Sequence, residues 1–362
     1  MNRYLISKAS ILHNLEQVLI RLEEKTLIAV VKGNGYGLGL IPYAETLASM
    51  GVEFFAVTEV EDALALRSAL PSADILMLRS TAFTEELSPL IQNNIILTLG
   101  SSLAMQRANA AASEQGVCAR FHLKFDLGMG RYGFSPSATA AVCEELSHLS
   151  ALSLCGTYAH LNQAFGSLKK TRAQIETFSK IEDEMIACGC EPGLTHLFNS
   201  SALFRIPEVY GSAARIGSAL IGRIAKGGKS LKPVGQLETV VHEPHTLEAG
   251  ATVGYGAACR LRRPTRVSVL PVGYFHGFGV EKVRDTYRMK DGVRYLIQDL
   301  LRLLKKQTPY VLIGGKRVKT LGHIGMLHCV VDLSRVPASE GDPVVIPVSP
   351  LYLNESVPRI FF

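Results

Sequence analysis

Between positions 10 and 24 the apolar residues Ile11, Leu15, Val18, Leu19 and Leu22 recur at the three-and-four spacing of one helix face. Short apolar or β-branched runs follow at 26–32, 54–58, 74–79, 95–99, 119–125, 152–160, 194–199 and 213–217, with helical material between them. Eight such runs, alternating with amphipathic helices over about 220 residues, predict a parallel (β/α)8 TIM-like barrel, since parallel strands need helical crossovers and are buried on both faces. A doubly wound open sheet is the competing arrangement. It would want a dinucleotide fingerprint, and Gly33, Gly35, Gly37 and Gly39 do not fall at that spacing.

Near Lys232 the pattern changes to alternating strands broken by Gly, Pro and Asp, as in RVSVLPVGY, YVLIGG, HCVVDL and PVVIPV. The fold expected is therefore α/β followed by mainly β, with the barrel over 1–232 and a β-strand-rich C-terminal domain over 233–362. One helix interrupts the second domain. Val293, Leu296, Ile297, Leu300, Leu301 and Leu304 form its stripe, with Arg294, Arg302, Lys305 and Lys306 mostly around the other face. The expectation is a surface helix packed on the β domain by that stripe, with a partner-binding helix as the lesser alternative.

A chain of 362 residues with 47% hydrophobic and 19% charged residues has material for two cores. The net charge of +6 is spread, with no basic run interleaved with aromatics, which argues against nucleic-acid binding. Seven scattered cysteines suggest a reducing compartment rather than a disulfide framework or a zinc site. The first residues lack a secretory leader, and no segment has the ~20 apolar residues of a membrane span. A cytoplasmic protein with no membrane partner is expected.

In such a barrel the chemistry lies at the carboxyl ends of the strands. Lys32, Arg131, His160, Asn199, Ser200 and Arg215 all fall there, from five different strands. A lysine closing a buried strand in IAVVKGNGYG is desolvated on one side, which favours the neutral amine that condenses with a carbonyl cofactor. A lysine snorkelling at the rim is the structural alternative. Ser200 and the turn Arg215-Ile216-Gly217-Ser218 offer a hydroxyl and backbone N–H groups where barrels often hold phosphate, though a plain capped turn has the same look.

AVVKGNGYGLG resembles the cofactor-lysine segment of the alanine racemase family, and KFDLGMGRYGF, the His160 region, HLFNSSA, RIGSALIG, VGYGA, LPVGY, GHIGM and the terminal VPRIF follow in that family's order. The resemblance implies that Lys32 carries pyridoxal 5'-phosphate and serves one face of a small amino acid, while Tyr255 serves the other. Two opposed groups are needed because a proton returned to the face it left regenerates the starting enantiomer. A phenol is a poor base near neutrality and needs a tuning neighbour, for which His160 is the candidate. By the same resemblance Arg215 faces the pyridine nitrogen, and Tyr36, Ser200, Gly217 and Ser218 hold the phosphate alongside Asn199. Arg131 and the backbone near Met326 receive the substrate carboxylate. Lys124 matches a lysine that is carbamylated in some members, no metal is implied, and Tyr255 would act in trans within a homodimer.

Departures from the family pattern cluster at the substrate entrance. Leu327 and His276 stand where aspartates are usual, and Glu355 where a tyrosine is usual. They open serine, or the basic amino acids lysine, ornithine and arginine, as substrates beside alanine. A decarboxylase of the same plan is a further alternative, but it would want a carboxylate where Arg215 stands.

Overall fold

The computed structural model describes residues 2–281, 284, 289–304 and 308–362. Two compact units emerge, Lys8–Val234 on the one hand and Met1–Ser7 with Gly235–Phe362 on the other. The first strand, β1 (Arg3–Ile6), belongs to the second unit. The barrel unit contains β2 (Thr26–Val30), β3 (Phe54–Val57), β4 (Asp74–Met77), β5 (Leu97–Leu99), β6 (Ala119–Lys124), β7 (Leu152–Tyr158), β8 (Leu194–Asn199) and β9 (Ala213–Ile216).

These eight strands pair in the order β4-β3-β2-β9-β8-β7-β6-β5. The ring closes where Ile96 donates to Ile75 O at 2.8 Å and Met77 donates to Ile96 O at 2.9 Å. Alternate residues Ile28, Val30, Phe54, Ala56, Leu76, Ile96 and Ala213 form one cluster, while Ala29, Phe55 and Val57 between them are buried as well. Burial on both faces explains why each run reads as continuously apolar. The opening helix, expected over 10–24, spans Lys8–Leu22 and buries Ile11, Leu15, Val18 and Leu22.

In the other unit the strands are β10 (Gly235–Val240), β11 (His245–Leu247), β12 (Thr252–Val253), β13 (Cys259–Arg260), β14 (Thr265–Leu270), β15 (Tyr310–Ile313), β16 (Lys316–Leu321), β17 (Cys329–Asp332), β18 (Pro343–Ile346) and β19 (Arg359–Phe361). Eight of them and β1 form one nine-stranded sheet in the order β11-β14-β17-β16-β15-β18-β10-β1-β19. Strand β1 runs antiparallel to β10, with Tyr4 opposite Leu237, and parallel to β19, with Leu5 opposite Ile360. The expected partition at 232/233 is therefore corrected: residues 1–7 complete the β unit rather than the barrel. A four-residue strand whose hydrogen-bond partners lie more than two hundred residues away gives no local periodicity to read.

The interrupting helix spans Met289–Leu303, and its packing is the reverse of that expected. Five of the six stripe residues, Val293, Leu296, Ile297, Leu300 and Leu304, are exposed, while Asp291 is buried and Tyr295, Gln298 and the sixth, Leu301, are half-buried. Ion pairs Arg284–Asp299 and Arg302–Glu281 hold the polar side. Lys305 and Lys306 of the expected polar face lie outside the described residues. Among the described residues no helix is long and apolar enough to cross a membrane, and all seven cysteines are free.

Candidate active site

At the mouth of the barrel a cavity of about 550 Å³ is lined by Lys32, Tyr36, Lys124, Arg131, His160, Asn199, Ser200, Arg215, Gly217 and Ser218. Ten site residues read from the sequence thus meet in one place. Tyr255 and Met326 lie in the β unit, where with His323, Leu327 and His328 they line a separate depression.

Lys32 follows β2 and begins a turn of unusual hand. Gly33, Asn34 and Gly35 have φ of 62°, 52° and 61°, and Tyr36 has φ 55°. Glycine adopts this left-handed region freely and asparagine tolerates it, whereas a tyrosine there is strained by roughly 1–2 kcal/mol. Gly35 N–H donates to Val31 O at 2.9 Å and Gly37 N–H to Gly33 O at 3.0 Å, while Asn34 Oδ1 accepts from Leu40 N–H at 2.8 Å. The turn brings Tyr36 back to the same cavity as Lys32. Burial, with a smaller contribution from the Arg131 charge, pulls the Lys32 ammonium below its ordinary pKa.

Tyr36 Oη lies against Gly217, where an added Cβ would come within 2.2 Å. A side chain on residue 217 would thus fill the space of the Tyr36 hydroxyl, which burial keeps protonated by raising its pKa to about 12. Gly217 N–H and Ala219 N–H donate to Ser200 Oγ at 3.3 and 3.2 Å. Ser200, itself buried, therefore keeps its hydroxyl hydrogen to give. Asn199 has little left for a ligand: its Oδ1 accepts from Ser201 and Ala202 N–H at 3.0 and 3.1 Å, and its Nδ2 donates to Leu161 O at 3.1 Å. It caps the short helix that presents Ser200.

The KFDLGMGRYGF segment is a closed loop. Phe134 N–H donates to Lys124 O at 2.8 Å and Asp126 N–H to Phe134 O at 2.9 Å, and Gly133, at φ 128°, would drive a Cβ to 2.6 Å from the Phe125 carbonyl carbon. Within the loop the Asp126 carboxylate accepts from the N–H groups of Gly128, Met129 and Gly130 at 3.2, 2.7 and 2.8 Å. Arg131 is carried on this frame. Lys124, buried at the end of β6, has its pKa pushed down to about 7 by desolvation first, then by the charges of Arg131 and Arg215.

Arg215 is buried at the end of β9. Its Nη1 donates to His196 O at 2.6 Å and to His196 Nδ1, and its Nη2 donates to Ala159 O at 2.7 Å. Since a guanidinium only donates, His196 Nδ1 must be the acceptor, so His196 Nε2 carries the hydrogen and donates to His122 Nδ1 at 2.7 Å. Tyr158 stacks on His196 at 4.6 Å and lies under Arg215 at 4.6 Å. Burial and the Arg215 charge lower His122 to about 3 and His196 well below its ordinary value, so the relay is neutral. The Arg215 charge, shifted down to about 10 by burial, thus stays protonated with no carboxylate partner in this set. His160 is likewise driven to about 3, by desolvation and then the surrounding cations.

Sequence reasoning missed His122, His196 and Tyr158, which carry Arg215 from inside the barrel, and Glu59 and Arg79 on the cavity wall. Arg79 is bound bidentately to Glu86 at 2.8 and 3.1 Å. Of the three departures from the family pattern, His276 accepts at Nδ1 from Gly273 N–H at 3.2 Å and closes the LPVGYFHG turn, as an aspartate oxygen would do. Leu327 is exposed beside Met326, whose carbonyl accepts from Phe275 N–H at 3.0 Å. Glu355 is exposed, and its carbonyl accepts from Arg359 at 3.0 Å.

The alanine racemase N-terminal domain model matches residues 6–224, and the C-terminal domain model matches 234–351. The alanine racemases of Methylacidiphilum infernorum and Desulfosudis oleivorans are 31% and 32% identical to this chain, over 92% and 88% of it and 80% of each relative. The biosynthetic alanine racemase of Pseudomonas aeruginosa has the same fold, with a TM-score of 0.80 at 25% identity over 100% of this chain and 99% of that one. With both domain models matched in order across most of its length, and relatives above 30% identity, the chain belongs to the alanine racemase family.

Proposed function

We propose that this chain is a pyridoxal-phosphate-dependent racemase that interconverts L- and D-alanine, with Lys32 and Tyr255 as its two proton-handling groups. The observation that carries the reading is the desolvated Lys32 amine in a cavity with Tyr36, Ser200 and a cationic Arg215. These residues fit the cofactor: an amine for its aldehyde, two hydroxyl donors for its phosphate, a cation for its ring nitrogen, and a glycine at 217 that leaves the Tyr36 hydroxyl its place. Bound there, pyridoxal phosphate supplies a conjugated ring that draws electrons from the α-carbon and acidifies its hydrogen.

The chain's residues do the rest. Lys32, its basicity lowered by burial, holds or releases the proton on one face of the α-carbon. The Tyr255 hydroxyl, on a side chain 84% exposed, does so on the other. Arg215 cannot surrender its proton, so facing the ring nitrogen it would leave that nitrogen unprotonated and make the ring a weaker electron sink. That favours reprotonation at the same carbon over side reactions, and it argues against decarboxylation. Arg131 receives the substrate carboxylate, and the Lys124 amine, lowered to about 7 and so substantially neutral near neutral pH, can add carbon dioxide with release of a proton to become an anionic carbamate partner for Arg131.

Tyr255 works on Lys32 of a second subunit in a head-to-tail homodimer, in a reducing, cytoplasmic setting that suits seven free thiols. A mixture of Lys32→Ala and Tyr255→Ala protomers, each inactive alone, is expected to recover about a quarter of native activity, because random dimers contain one intact composite site in half the molecules. No recovery after subunit exchange would rule out the shared site. A broader substrate range is the second reading, favoured by the Glu59 carboxylate on the cavity wall. Incubation with single L-amino acids in deuterated water tests both readings. Loss of optical activity and α-deuteration of alanine are expected, turnover of lysine or ornithine above alanine would favour the second, and α-exchange with none of the panel would overturn the proposed activity.

A further inference from the structure

The helix Met289–Leu303 is mounted with its polar side inward. Met289, Val293, Leu296, Ile297, Leu300 and Leu303 are all exposed, Leu296 at 70% and Leu303 at 78%. At about 100° per residue these six fall within an arc of roughly 120°. The opposite side carries the contacts: Asp291 is buried, Arg284 donates to both carboxylate oxygens of Asp299 at 2.6 Å, and the Arg284 guanidinium lies 5.0 Å from the Tyr295 ring. A surface helix of a globular domain normally turns its apolar stripe to the core. Here the stripe is a continuous strip open to solvent, the kind of patch that marks a docking surface.

What covers it follows from length and charge. The spacing 289, 293, 296, 300, 303 makes a seam of only two heptads, short of the roughly three to four that sustain pairing with the same helix of a second copy. The sequence from 281 to 307 holds eight Lys and Arg against four Asp and Glu, a net +4 out of +6 for the whole chain. Two copies of such a segment repel each other, whereas anionic headgroups attract it, and each added cation strengthens the attraction. We propose that this helix docks on the surface of an anionic lipid bilayer, lying in the headgroup plane with its strip at the acyl boundary, and holds the enzyme peripherally at a membrane.

The test is co-sedimentation of the holoenzyme with vesicles of mixed phosphatidylglycerol and phosphatidylcholine, beside vesicles of phosphatidylcholine alone. The parent protein is expected to pellet with the former, and to do so less as salt is raised. Leu296→Glu combined with Leu300→Glu, both on exposed positions, should cut the bound fraction about tenfold or more with alanine turnover unchanged. The proposal fails if the parent stays in the supernatant with anionic vesicles, or if it binds both vesicle types equally. It also fails if light scattering shows an assembly that the double variant halves while neither protein binds vesicles, which would make the strip an interface between copies.

Discussion

Gly217→Ala tests the proposed grip of Tyr36 on the cofactor phosphate with one methyl group. The added Cβ would stand 2.2 Å from Tyr36 Oη and 2.7 Å from Cε2 and Cζ of the same ring. Carbon contacts settle at about 3.5–4.0 Å, so the ring must retreat by roughly 1 Å or more. Its backbone has little freedom to absorb this, because Tyr36 sits at φ 55° in a turn already tied by Val31, Gly33 and Asn34. A hydrogen bond to a charged group is worth about 1.5–3 kcal/mol, so losing the Tyr36 hydroxyl from the phosphate should weaken cofactor binding about 10- to 150-fold. Overpacking separately costs the apoprotein about 1–3 kcal/mol of stability. Spectral titration of the apoprotein with pyridoxal phosphate reads the first effect and urea unfolding the second. Tyr36→Phe removes the hydroxyl without crowding, so it should reproduce the affinity loss and spare the stability. If either variant binds the cofactor as tightly as the parent, Tyr36 does not hold the phosphate.

Other outcomes follow from the same geometry. Tyr255→Phe should lower racemisation about 100- to 10,000-fold, the usual contribution of one positioned acid/base group, while leaving cofactor absorbance intact; a near-native rate would remove Tyr255 from the chemistry. His122 and His160 titrate near 3 and His196 well below its ordinary value when folded, against about 6.5 when unfolded, so between those limits only the unfolded chain binds the protons. Stability is therefore full above about pH 6.5 and falls as pH drops toward 3, and urea midpoints that do not move over that window would contradict the neutral relay. Lys124 acts in the same direction in a higher window: folded near 7 and unfolded at 10.5, it makes the apoprotein more stable as pH rises between those values, a trend Lys124→Met should flatten. Labelled bicarbonate should give a carbamate carbon signal in the parent and none in Lys124→Met, whose KM for alanine should rise about tenfold as Arg131 loses its partner.

How much of this was legible in the sequence depends on whether a residue's role is set by its neighbours in the chain or by neighbours across the fold. Strands β2 to β9 were readable because burial on both faces leaves a local mark, and the polar residues lining the cavity were readable because a parallel barrel gathers strand ends at one rim. Lys32, Arg131, Ser200 and Arg215 needed only that rule. His122 and His196 did not follow it. Within FHLK and LTHLFN they look like polar interruptions of apolar strands, and their purpose exists only across the barrel, where a chain of neutral acceptors anchors a buried cation. Asn199 differs in the other direction, since its place beside Ser200 suggests a ligand contact while its oxygen is already committed to capping. The helix Met289–Leu303 marks a further limit. Periodicity identifies an apolar face but is silent on which way that face turns, because the moment is the same for a stripe packed inward and one held outward. Only the partners of the polar side, Asp291, Asp299 and Arg302, settle the direction, and they show that an amphipathic signal in an inserted segment can be evidence of something outside the fold.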